Sequence, residues 1–217
     1  MGTFGSLILL ASGLVSATFA LVVAGSTLKL FRVVRRDYLL GLPIGFSFLA
    51  LGYLSSSASY ALPALTDPLT WLALLCQSYG FAFVAVTYLL KKSSRWGSAA
   101  EWLVSIMLIL AVIAATVIVV QIERIPSYQA FDEALSITNI FLLAYILIDL
   151  YPRVGADRHG IGTAILASYA VLAVSQYSYL LWRLDGGFWS FSMAHLLEFI
   201  GLAVLAVNLV QGLQRRR

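Results

Sequence analysis

AHLLEFIGLAVLAV, residues 194–207, and ALLCQSYGFAFVAV, residues 73–86, are the two stretches whose comparison decides the fold. They lie 121 residues apart, and Ala73/Ala194, Leu75/Leu196, Gly80/Gly201, Ala82/Ala203, Ala85/Ala206 and Val86/Val207 are identical. Gln77 in one stands where Glu198 stands in the other. The same gapless displacement lays Gly41, Ile44, Ser47, Leu51 and Ser57 on Gly162, Ile165, Ser168, Leu172 and Ser178. A recurring match at one offset marks an internal repeat.

Of the 217 residues, 61% are hydrophobic and 11% charged. Soluble domains carry about 25% charged residues, and a chain of this size cannot hide so much apolar side chain from water. Seven long apolar segments run at about 4–31, 38–61, 68–90, 98–121, 131–151, 160–182 and 188–212. Each is long enough to cross about 30 Å of hydrocarbon, which takes about 20 helical residues. Backbone polar groups must be satisfied internally in lipid, so helices are expected. Alternation of the barrel type is absent. The first segment lacks a basic leader and is too long for a signal peptide, so it reads as a mature helix.

Basic residues set the expected orientation. Lys29, Arg32, Arg35 and Arg36 follow the first segment, Lys91, Lys92 and Arg95 the third, Arg153 and Arg158 the fifth, and Arg215, Arg216 and Arg217 the last. Only Arg124 and Arg183 fall on the other side. The positive-inside rule puts the first group in the cytoplasm, the N-terminus outside and the C-terminus inside. The net charge of +4 follows from this topology and points to no nucleic acid partner. The single cysteine, Cys76, excludes an intrachain disulfide and reads as a small packing residue.

The expected architecture is therefore an all-α membrane protein in one transmembrane domain, residues 1–217. Repeat 1 covers about 4–92, a linker helix about 98–121 and repeat 2 about 131–213. This is a 3+1+3 plan of two parallel repeats. In plan it resembles the SWEET and PQ-loop transporters and the seven-helix microbial rhodopsins. It lacks the Pro-Gln dipeptide of the former, and its seventh segment has no lysine for a retinal Schiff base. Residues 29–54, KLFRVVRRDYLLGLPIGFSFLALGYL, are similar to uncharacterised archaeal membrane proteins. The SWEET likeness implies solute transport as one reading.

Polar residues gather in the outward half. Glu198 lies about 15 Å into its helix at 1.5 Å per residue, with His195 one turn closer to the outside. An ionisable group at such depth is a functional candidate. Tyr169, Gln176 and Arg183 recur every seven residues and share a stripe. Ser55–Ser59, Tyr179 and Asn139 lie at comparable depth, and Arg183 and Asp185 near the boundary read as a snorkelling or paired couple. The candidate ligand-binding set is Glu198, His195, Gln77, Gln176, Tyr169, Ser56 and Tyr179. No metal-binding, phosphate-binding or nucleophile motif occurs, so no enzyme activity and no cofactor are expected. The expected role is ligand binding or signal sensing in the cell membrane, with transport or service as a subunit of a larger complex as alternatives.

The orientation has a direct test. In a Cys76→Ser background, a cysteine placed at Gly187 is expected to react with a membrane-impermeant maleimide applied from outside, and one at Ser94 is not; labelling at Ser94 alone reverses the topology.

Overall fold

A computed structural model describes residues 3–90, 128–154 and 160–214. The linker segment expected at 98–121 and the basic residues at 91–95, 124, 158 and 215–217 lie outside the described residues. Among the described residues there are six long helices: α1 (Thr3–Val34), α2 (Gly41–Ala61), α3 (Thr66–Leu90), α4 (Tyr128–Val154), α5 (Ile161–Asp185) and α6 (Phe188–Gln214). All six are long and apolar enough to cross a membrane. Their ends fall within a few residues of those expected, because apolar runs bounded by charge, Gly and Pro mark helix termini. Among the described residues no strand occurs.

Each helix packs on its neighbours in chain order, and α6 closes on α1. The six thus form a ring whose middle is filled by Ala20, Val23, Phe46, Leu49, Leu143 and Leu205, among others. The distribution of polarity is inverted relative to a soluble protein. Ser16, Ser55, Asn139, Gln176 and Glu198 are buried, whereas Phe141, Ile148, Phe188 and Trp189 are each more than 70% exposed. An apolar exterior around a core that also holds polar groups is consistent with a multi-pass membrane protein in a lipid bilayer.

Close approach fixes the helix pairs. A Cβ on Gly45 would lie 2.6 Å from the Gly80 carbonyl oxygen, and one on Gly80 would lie 2.5 Å from Leu49 Cγ. A Cβ on Gly201 would lie 2.9 Å from Leu172 Cγ and 3.2 Å from the Ser168 oxygen. Further along each hairpin, Gly52 faces the Ala73 carbonyl, and Ser175 Oγ donates to the Ala194 carbonyl at 3.0 Å. The α2–α3 and α5–α6 hairpins therefore meet through matched contacts.

The register of those contacts departs from the gapless one expected from the sequence. Every buried residue of α5 lies 123 positions after a buried residue of α2: Gly45/Ser168, Phe46/Tyr169, Leu49/Leu172, Gly52/Ser175, Tyr53/Gln176 and Ser55/Ser178. The buried positions of α1 and α4 agree at the same displacement in Ser16/Asn139, Ala20/Leu143 and Val23/Ile146. An offset of 121 would instead lay buried Ala20 on Phe141, which is 71% exposed. Only α3 and α6 keep 121, as in Ala73/Ala194, Gly80/Gly201 and Phe81/Leu202. The reason is loop length: residues 62–65 join α2 to α3 through a short 3-10 turn, whereas Gly186 and Gly187 alone join α5 to α6. Gly186 takes φ 64° and donates to the Trp182 carbonyl at 2.8 Å, the left-handed helix end that glycine adopts without steric cost.

Gly45→Ala is expected to cost about 1–3 kcal/mol through overpacking against α3. Gly25→Ala, where an added Cβ meets nothing within 4 Å, should be neutral or stabilising by up to about 1 kcal/mol. Thermal unfolding in detergent separates the two.

Candidate functional site

At the end of the ring that carries the α2–α3 and α5–α6 loops, a cavity of about 170 Å³ opens between α2, α3, α4, α5 and α6. Its polar lining includes Ser56 from α2, Gln77 from α3, Asn139 from α4, Gln176 and Tyr179 from α5, and His195 from α6. Trp182, Arg183 and Phe191 line it nearer the loops. The opposite end of the ring carries Lys29, Arg32, Arg35 and Arg36 beside the α1–α2 turn.

Tyr179 is the hinge of the site. Its hydroxyl stands 2.8 Å from His195 Nδ1 and donates to Glu198 Oε2 at 3.1 Å. His195 Nδ1 is 3.9 Å from the same carboxylate oxygen, one helical turn away on α6. One polarity is consistent with both contacts: His195 Nδ1–H donates to the Tyr179 oxygen, whose O–H donates to Glu198 Oε2. The imidazole sits edge-on to Phe191 at 4.5 Å and to Tyr179 at 5.2 Å between ring centroids, so its orientation is set by packing as well as by hydrogen bonding.

Glu198 is only 2% exposed and does not line the cavity. It lies behind Tyr179 and His195, and the cavity communicates with it through them. Its Oε1 has no hydrogen-bond partner among the described residues. The Tyr53 hydroxyl of α2 is buried near the carboxyl and has no hydrogen-bond partner among the described residues. Two tyrosines from opposite hairpins thus converge on one acid.

A second polar pair borders the cavity. Asn139 Nδ2 donates to Gln176 Oε1 at 3.1 Å, and both side chains are 3% exposed. Asn139 Oδ1 is buried with no partner among the described residues.

Five residues of the sequence-derived set, Ser56, Gln77, Gln176, Tyr179 and His195, line this cavity. Tyr169 does not. It is buried deeper, and its hydroxyl accepts from Tyr88 of α3 at 3.4 Å across the ring. A shared heptad stripe places Tyr169 below Gln176, but the stripe continues past the cavity floor. Tyr177, by contrast, is half exposed on the outer face. Asp185 serves the turn, accepting from the Gly187 backbone N–H at 2.7 Å and from Ser190 Oγ at 2.9 Å. The Arg183 guanidinium lies 4.1 Å above the Trp182 ring. Tyr53 escaped sequence reasoning because a tyrosine in an apolar helix carries no depth signal. Its place at the position of Gln176 in the burial register is visible only in the structure.

Among the described residues no group of His, Cys, Asp and Glu has the arrangement of a metal site. No known protein family, curated protein or solved structure matches this chain.

Tyr179→Phe removes the hydroxyl that contacts His195 Nδ1 and donates to Glu198 Oε2. It is expected to cost about 1–3 kcal/mol, the usual penalty for stranding a buried polar group. Tyr177→Phe on the exposed face should be silent; equal melting temperatures for the two variants would show that the triad is not structurally coupled.

Proposed function

We propose that the chain is a non-enzymatic seven-helix protein of the cell membrane that binds a small molecule in an outward-facing polar pocket. The observation that carries this reading is the cavity itself. Polar side chains from five helices converge on it, although each of those helices is apolar around most of its circumference. Burying carboxamides and an acid inside an apolar bundle is costly, so such groups are expected to serve a cavity or a ligand. The cavity opens at the end opposite the Lys29–Arg36 cluster. With that cluster cytoplasmic, the pocket faces outward.

The matched hairpins support the 3+1+3 plan, with α1–α3 as one repeat and α4–α6 as the other. On this reading the repeats place Gln77 and Glu198 at equivalent depth. Mutation of one copy to an acid has then given the two halves different chemistry on a common frame.

A proton-coupled solute transporter is the second reading, and one observation favours it. The His195–Tyr179–Glu198 hydrogen bonds join the cavity to a buried carboxyl, an arrangement able to link a bound solute to a proton.

Native mass spectrometry of the full chain, extracted in mild detergent, tests the binding reading. A retained small-molecule mass that is lost in Gln77→Leu is the expected result. A stoichiometric protein neighbour would favour a subunit role, and a bare chain in every preparation would count against the pocket. Proton-dependent solute uptake in vesicles, abolished by Glu198→Gln, would replace binding with transport.

A further inference from the structure

The Asn139–Gln176 pair narrows the chemistry of the ligand, an inference that rests on the binding reading above. Each carboxamide has one acceptor edge and one donor edge. One edge of each is spent between them, Asn139 Nδ2 on Gln176 Oε1 at 3.1 Å. What remains is one acceptor, Asn139 Oδ1, and one donor, Gln176 Nε2. If both amides are turned over together, the remainder is Asn139 Nδ2 and Gln176 Oε1, again one donor and one acceptor. The offer to a ligand is therefore the same in either orientation. The two residues are 3% exposed and both line the cavity, and Asn139 Oδ1 has no partner among the described residues.

A donor beside an acceptor is complementary to a group that presents the same two functions in the opposite order. A carboxamide or lactam edge does so. A carboxylate only accepts and an ammonium only donates. The rest of the lining agrees. Gln77 and the Ser56 hydroxyl also both donate and accept. Among the described residues no carboxylate lines the cavity to hold a cation. The Arg183 guanidinium also lines the cavity, lying 4.1 Å above the Trp182 ring. Trp182 and Phe191 stand 4.6 Å apart between centroids and form an aromatic wall. Aromatic walls take planar rings by stacking or edge contact. A cavity of about 170 Å³ has room for one small ring, and water occupies about 30 Å³ per molecule for comparison.

We infer that the pocket takes a small, planar molecule with a carboxamide or lactam edge, held at that edge by Asn139 and Gln176 and against Trp182 and Phe191 by its ring.

Full-length protein in lipid nanodiscs is titrated with nicotinamide and uracil as amide and lactam probes. Nicotinate, benzylamine and glycerol serve as the anionic, cationic and hydroxyl comparisons. Binding is read by saturation-transfer NMR and tryptophan fluorescence. Nicotinamide or uracil is expected to saturate the site, with nicotinate weaker by about tenfold or more, the cost of mispairing one buried hydrogen-bond group. Gln176→Glu should weaken the amide probe by a similar factor while far-UV circular dichroism stays unchanged. Asn139→Asp, read in the same way, covers the case in which that variant fails to fold. Equal or tighter binding of nicotinate, benzylamine or glycerol overturns the amide class and leaves the pocket reading intact. Failure of all five probes overturns the amide class; if no small molecule is retained by the native chain either, the pocket reading falls with it.

Discussion

The bundle depends on how closely α2 can approach α3, and α5 approach α6. At Gly45 and Gly80 the two backbones come so near that neither position has room for a Cβ. In lipid there is no hydrophobic drive between apolar helices, so association rests on van der Waals packing and a few polar contacts. Glycine supplies the first by removing the side chain at the crossing. Gly201 against Leu172 and Ser168 does the same in the second hairpin. These crossings set the rotation of each helix. Rotation then decides which residues face the ring interior and which face outward.

From that constraint the polar site follows. Once α5 and α6 cross at Gly201, Ser175 meets the Ala194 carbonyl, and Tyr179 is carried one turn further, opposite His195 and Glu198. The first hairpin, crossing at Gly80, brings Gln77 to the same cavity and Tyr53 to the same acid. α4 closes the wall with Asn139 on Gln176. The cavity is thus a joint product of both hairpins, and no single helix contains enough polarity to form it. Aromatic rings complete it on the loop side, where Trp182 packs on Phe191 and Phe191 on His195.

Hydrogen bonding divides the interior into two kinds of polar residue. Thr87 and Ser168 return their hydroxyls to carbonyls one turn back on their own helices, at 3.1 and 2.8 Å. Such bonds use the hydroxyl's one proton locally and leave it only as an acceptor. Tyr179, Asn139 and Gln176 instead bond between helices and retain further capacity. They are the groups that give the cavity its chemistry.

By itself the sequence determined the six described helices, their limits and five of the polar residues that line the cavity. The reason is that length, hydropathy and depth along a helix are one-dimensional properties. Depth alone could not separate Tyr169 from Gln176, nor find Tyr53, because it says nothing about which neighbour a side chain meets. Register was likewise beyond it. The gapless offset matched identical residues across apolar helices, where Ala, Leu and Ser recur often, while burial follows a displacement two residues longer in α1–α2 against α4–α5. That difference arises in the loop, where four residues turn the first hairpin and two turn the second. Only the tertiary structure decided which residues converge, because convergence is set by the rotation of helices at their glycine crossings, and rotation depends on packing between segments distant in the chain.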